Sequence, residues 1–266
     1  MIFTAGIVLA AAVAGTSAQG LTSVSPTCQN AFTNVMNGPA GACLGVSSLM
    51  SVATTPADQS IIPPVNDWLT KTCAQPACTT EQLDGAYNNI TAGCKNDFGM
   101  TDGSIVDYKE YVDGWYGPGR EIACLKDAGD ALCVTTTLKG IEKYINQTLS
   151  INAISTVIPQ LAMTGGNVPK DLTCTPCIQA AYAIIRPKLN ENNRGTWDAY
   201  LGGQCGSSFT TGSSPSNIKQ SANSAPAGSG SGGNGSGNGA LSLSSGVFGT
   251  LATALLGVAG VAVIGF

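Results

Sequence analysis

The sequence predicts an all-α domain stapled by disulfides, and three observations predict it. Apolar residues recur at helical spacing through most of the stretch from Cys28 to Cys205, while sustained period-two alternation is hard to find. Helix-start and helix-stop residues stand at the ends of those runs. All ten cysteines lie within the same stretch, several of them on the apolar stripes, where a bridge would tie one helix to the next.

Taken in order, Pro26 to Val35 carries Cys28, Phe32 and Val35 on one face and stops at Gly38-Pro39. Pro63-Pro64 opens a second helix, since proline is tolerated in a first turn, and Val65, Trp68, Leu69 and Cys73 follow. Thr79 to Gln82 is a capping-box pattern ahead of Leu83, Ala86, Tyr87, Ile90 and Cys94. Asp102 is placed to cap a helix with Ile105, Val106, Tyr108, Val112 and Trp115, which Gly117-Pro118-Gly119 should break. Cys133 to Ile145 holds Leu138, Ile141 and Ile145, although Val134 to Thr137 also reads as a strand start. Cys174 to Leu189 holds Cys177, Ala181, Ile184 and Ile185.

The two ends read as addresses. Ile2 to Ala14 is apolar and too short for a comfortable span, and small residues precede Gln19, so residues 1–18 are expected to be a signal peptide. After Lys219 there is no charged residue. Ser213 to Gly239 has linker composition, and Val247 to Phe266 is almost wholly apolar. Small residues at Asn238-Gly239-Ala240, a short spacer and an apolar tail are the parts of a GPI-attachment signal, with Asn238 the expected attachment residue and Asn234 or Ser236 as alternatives. A permanent membrane helix would usually carry basic residues on its cytoplasmic side. The expected organisation is a signal peptide at 1–18, a short lead at 19–27, an ectodomain at 28–212, a linker at 213–238 and a removed anchor signal at 239–266. Asn89-Ile90-Thr91 and Asn146-Gln147-Thr148 are N-glycosylation acceptors in such a chain, while Asn234 competes with anchor cleavage.

Composition excludes several classes of function. The 266 residues carry a formal charge of -4, a charged fraction of 11% and no histidine. No clustered basic patch exists to release counterions from nucleic acid. Without histidine, Ser-His-Asp and Cys-His catalysis and zincin sites are closed. Neither a metal nor another cofactor is expected, because oxidised sulfur is no zinc ligand. Oxidation of Cys28, Cys43, Cys73, Cys78, Cys94, Cys124, Cys133, Cys174, Cys177 and Cys205 into five bridges is expected, out of about 945 pairings. Short loops favour Cys28–Cys43 and Cys124–Cys133. Cys174-Thr175-Pro176-Cys177 has redox-pair spacing but no βαβ pattern around it, so its cysteines are expected to bond elsewhere, with Cys205 as a partner for one.

Carboxylates remain as candidate chemistry. Asp102, Asp107, Glu110, Asp113 and Glu121 could serve a glycosidase, although the plainer reading is a solvated helix face. Asp102-Gly103-Ser104-Ile105 looks like the centre of a calcium loop, but Phe98 and Lys109 would occupy ligand positions, so that loop fails. Ser216-Asn217-Ile218-Lys219 matches a nucleophile pattern by chance. Trp68, Trp197 and above all Trp115-Tyr116 could stack on sugar rings, core packing being the default.

Read together, these segments resemble an uncharacterised fungal family of cysteine-rich, GPI-anchored secreted proteins that bears only a domain-of-unknown-function label. The residues that carry the resemblance are Trp68-Leu69 before Cys73 and Cys78, and Arg120-Glu121 before Cys124-Leu125-Lys126-Asp127 and Leu132-Cys133-Val134. They continue with Cys174 to Cys177 before Ala180-Ala181-Tyr182, and with Cys205 to Phe209 before Gly212, Pro215 and Ile218. The resemblance implies location and architecture but no activity. It also implies that the stretch up to Ile218 belongs to the domain's edge. The expected role is structural or ligand-binding at the plasma membrane or cell wall, with the lipid anchor and wall polysaccharide as partners. A carboxylate-dependent wall-glycan hydrolase or transglycosylase and a helical lipid or sterol carrier are the alternatives.

Overall fold

A computed structural model gives the fold and describes residues 25–100, 102–154 and 168–223. The expected signal peptide, most of the lead, Asn238 and the anchor signal lie outside the described residues. The domain is all-α, with one two-residue strand pair.

Helix α1 is Pro26–Asn37, and Ser25 caps it, its hydroxyl accepting from Cys28 N–H at 3.2 Å. Two short helices follow, α2 (Pro39–Cys43) and α3 (Val46–Ala53). Gly45 joins them at φ +61°, and a Cβ there would lie 2.3 Å from Thr72 Oγ1, so both conformation and space demand glycine. Helix α4 is Ile62–Ala74. Its Trp68 Nε1 donates to Leu44 O at 3.0 Å, which fixes the α2–α3 corner. Helix α5 is Thr80–Cys94, and both halves of its capping box form: Gln82 N–H donates to Thr79 Oγ1, and Thr79 N–H donates to Gln82 Oε1 at 2.8 Å. Where α5 meets α1, a Cβ on Gly93 would come within 2.5 Å of Ala31 Cβ, so glycine permits the approach that the Cys28–Cys94 bridge closes.

Helix α6 runs from Asp102 to Ala123, straight through the expected break at Gly117-Pro118-Gly119. Interior proline costs about 3 kcal/mol. Tertiary contacts on either side hold the helix against that cost: Tyr116 Oη accepts from Cys78 N–H at 2.7 Å, and the Arg120 guanidinium donates to Thr72 O at 2.8 Å.

Strand β1 (Leu125–Lys126) leads through a turn at Asp127–Ala131 into helix α7 (Cys133–Ile145). The alternative strand start at Val134 is therefore not taken; Val134, Thr135 and Thr137 are buried on the helix. Then come α8 (Lys170–Thr173), α9 (Pro176–Ile185), a 3-10 turn at Arg186–Lys188, α10 (Glu191–Cys205) and a second 3-10 turn at Ser207–Thr210. Strand β2 (Lys219–Gln220) pairs antiparallel with β1, setting Leu125 opposite Gln220 and Lys126 opposite Lys219.

Residues 219–223, placed in the expected linker, are therefore docked on the domain. The backbone returns to the domain, Ser221 N–H donating to Cys124 O at 3.0 Å and Asn223 N–H to Cys73 O at 2.8 Å. Composition suggested a free chain there, but side-chain hydrogen bonds from Ser221 and Asn223 secure it instead.

All ten cysteines are paired. The bridges are Cys28–Cys94, Cys43–Cys78, Cys73–Cys124, Cys133–Cys177 and Cys174–Cys205. The expected short-loop pairs Cys28–Cys43 and Cys124–Cys133 do not form. Loop length decides little, because helix packing chooses which half-cystines meet; Cys28 meets Cys94 because α1 lies on α5. With sequence separations of 31 to 66, each bridge is worth about 4 kcal/mol in the chain-entropy picture, without simple additivity.

These bridges form two sets. Three interlock residues 28–124, two interlock residues 133–205, and none joins the sets. What joins them is noncovalent. Val65 and Leu69 of α4 share a core with Leu138 and Ile141 of α7, closed by Leu149. Each such buried side chain contributes about 1.5–3 kcal/mol. Thr135 Oγ1 donates to Asn66 Oδ1 at 2.8 Å within the same contact. A second core holds Ile178, Tyr182, Trp197, Leu201 and Phe209 between α9 and α10.

Peptide mapping of the unreduced protein should return these five pairs and no free thiol. A bridge between the 28–124 and 133–205 segments, or a Cys174–Cys177 pair, would refute the arrangement.

Candidate functional site

The Trp115-Tyr116 pair was the first candidate for a ligand platform. Successive helix residues point about 100° apart, and the two rings go to different clusters. Trp115 packs with Ile178, Tyr182 and Trp197, whereas Tyr116 packs with Cys43, Cys78 and Leu83. They form no shared stacking surface. Trp197 is buried at 8% exposure, with Tyr200 edge-on at 6.0 Å between ring centroids.

The candidate acids are accounted for unevenly. Asp113 pairs with Lys109 at 2.7 Å, and the same ammonium reaches Asp84 of α5 at 2.6 Å. Hydrogen bonds that the ammonium donates to Asp113 and then Asp84 hold the Lys109 pKa well above its ordinary value, so it stays a cation that ties α6 to α5. Glu121 is exposed. The side chains of Asp102, Asp107 and Glu110 lie outside the described residues. Gly103 and Ser104 belong to helix α6, which is no calcium loop. Ser216 sits in a turn, and Lys219 of the attached segment pairs with Asp130 at 3.2 Å.

Cys174 and Cys177 stand at the start of α9 and bond to Cys205 and Cys133, the division expected of structural half-cystines. Among the described residues no group of three His, Cys, Asp or Glu side chains could hold a metal ion.

The best-organised polar cluster is one the sequence reading missed. Tyr182 of α9 and Arg186, which opens the 3-10 turn just after it, stand four residues apart, and α10 brings Asp198 against them. Arg186 grips the carboxylate with both prongs, Nε to Oδ1 at 2.8 Å and a terminal nitrogen to Oδ2 at 2.7 Å. Tyr182, fully buried, donates its hydroxyl to Oδ1 at 2.7 Å. The Arg186 hydrogen bonds lower the Asp198 pKa against the pull of burial, and the Tyr182 hydroxyl helps. Burial, and then Asp198, push the Tyr182 pKa up, so the phenol remains a donor. The Asp198 carboxylate thus accepts three hydrogen bonds from within the domain. The triad locks the end of α9 to α10.

Asp127 does similar work in the turn before α7. Burial would raise its pKa, but the Thr136 hydroxyl and the N–H groups of Ala131 and Gly129 outweigh burial and lower it. Asp97 falls because Ser25 donates both N–H and hydroxyl to it. Glu81 falls through its own N–H and the Thr79 hydroxyl. A glycosidase needs one carboxyl held high as a proton donor. The described carboxylates with displaced values all move the other way.

The fold is a disulfide-stapled all-α domain in which the Asp198 and Lys109 clusters tie neighbouring helices together. Compared with known proteins, the chain matches no family model, no curated protein and no solved structure.

Asp198 sets a pH dependence. Its folded pKa lies below the unfolded value, so its contribution is complete above about pH 4 and disappears as pH falls through the folded value. Asp198→Asn should lower Tm at pH 7 by roughly 2–4 °C, the size of about 1 kcal/mol in a domain of this length. The gap from wild type should close toward pH 3, as denaturation at several pH values would show. A gap that stays constant from pH 7 to 3 would remove the carboxylate's role.

Proposed function

We propose that the chain is a secreted, non-enzymatic protein of the plasma membrane or cell wall, with a structural or ligand-binding role, held by a C-terminal GPI lipid at Asn238. The observation that carries this reading is the cysteine set. Five bridges that consume all ten cysteines belong to an oxidising compartment, since cytosolic thiols are kept reduced. The internally satisfied ion pairs add support for a passive scaffold. The proposed tether lies within the Ser/Gly/Asn-rich stretch 213–238. No helix among the described residues is long and apolar enough to cross a membrane, and the proposed anchor signal is not among them. The partners in this reading are the membrane, through the lipid, and wall polysaccharide; nucleic acid is not one.

The test uses the full chain expressed in a secretory host. Phosphatidylinositol-specific phospholipase C should release the ectodomain from intact cells. A mature protein that still yields a C-terminal peptide containing Phe266 would defeat the anchor. Turnover of wall glycans, abolished by changing one carboxylate, would put the hydrolase reading in its place.

A further inference from the structure

The pattern Tyr-x-Asn-x-Thr occurs twice, as Tyr87 to Thr91 and as Tyr144 to Thr148. The fold treats the two copies differently. The first lies within α5, where the Asn89 amide donates to Gly85 O at 2.9 Å. There the Thr91 hydroxyl is buried and bonded to Tyr87 O at 2.9 Å. Residues two apart in a continuing helix do not face each other, so Tyr87 and Asn89 diverge.

The second copy ends a helix. Asn146 is the C-cap of α7 at φ +52°, ψ +37°, the left-handed region that asparagine tolerates better than most residues. A positive φ turns its Cβ about the N–Cα bond, away from the direction a further helical residue would take. Asn146, Gln147 and Thr148 are all exposed. Two residues back stands Tyr144, at 46% the one large hydrophobic side chain left exposed among the described residues. A solvent-exposed phenol ring therefore stands two residues before a solvent-exposed acceptor.

We propose that Asn146 carries an N-linked glycan and that Tyr144 is the seat for its first sugar. The face of a pyranose ring presents polarised C–H groups, and the negative face of an aromatic ring attracts them while both surfaces leave water. In the transfer step a bond forms between Asn146 Nδ2 and the anomeric carbon of a lipid-linked oligosaccharyl diphosphate. The anomeric C–O bond breaks, the diphosphate leaves with the electron pair, and the amide nitrogen loses one proton. The secretory host supplies the lipid-linked donor and the transferase that catalyses the step. The glycan then covers the exposed end of α7 and stabilises it, whereas a glycan on Asn89 would find no ring to rest on.

This rests on the secretion reading, and the experiment separates the two. The full chain is expressed in a secretory eukaryotic host, and occupancy at both acceptors is read by mass spectrometry after glycan release in heavy-oxygen water. Thermal unfolding is compared before and after release, for wild type, Asn89→Gln, Asn146→Gln and Tyr144→Ala. Occupied Asn146 is expected. Removing the glycan should lower Tm by about 2–4 °C in wild type and Asn89→Gln, and by less than half of that in Tyr144→Ala and Asn146→Gln. A secreted protein bare at Asn146 would overturn the inference and leave secretion standing. An equal loss in Tyr144→Ala and wild type would remove Tyr144 from it. A chain retained in the cytosol would overturn both.

Discussion

The carbonyls at the end of α4 are the groups on which this fold turns. A helix leaves its last carbonyls without intrahelical partners, and burying them unpaired costs about 1–3 kcal/mol each. Here two remote parts of the chain supply the donors. Arg120 of α6, only 8% exposed, donates to Thr72 O and Gln75 O. Asn223, 149 residues from Ala74, donates its backbone N–H to Cys73 O and its amide to Ala74 O at 3.0 Å. The negative end of the helix dipole suits the guanidinium, which needs no carboxylate there. The Cys73–Cys124 bridge passes through the same point, and Ser221 closes on Cys124 O. One junction thus joins α4, the end of α6 and the last described segment.

That junction explains how a domain with two unlinked disulfide sets behaves as one. Residues 28–124 and 133–205 are each cross-linked internally, and between them run the α4–α7 core, the β1–β2 pair and the docked segment. Covalent links make each half stiff, while noncovalent contacts decide how the halves sit. Polar side chains throughout are spent on this closure: Asp127 in its turn, Asp198 between helices and Lys109 between α5 and α6.

Much of this was legible in the residues. The all-α class, the capping box at Thr79 and the helix from Cys133 to Ile145 follow from spacing alone. Helix α10 was not legible, because Glu191–Cys205 buries only Trp197 and Leu201 among polar residues and three glycines. Nor was the course of α6 through Pro118, since Tyr116 and Arg120 anchor it from partners far away in sequence. Pairing of the cysteines depends on which helices cross. Trp115 and Tyr116 are neighbours in sequence, and helical geometry separates their rings into different clusters. The Tyr182–Arg186–Asp198 triad left one usable signal, a tyrosine and an arginine four apart, with no hint that Asp198 would face them.

Amide hydrogen exchange measures the junction directly. In the native protein the N–H groups of Ser221 and Asn223 should exchange far more slowly than those of an unstructured tail. In Arg120→Ala, with Thr72 O and Gln75 O left without the guanidinium, that protection should fall together with that of the α4 C-terminus. Tail-like exchange of Ser221 and Asn223 in the wild-type protein would contradict a domain that closes on the end of α4.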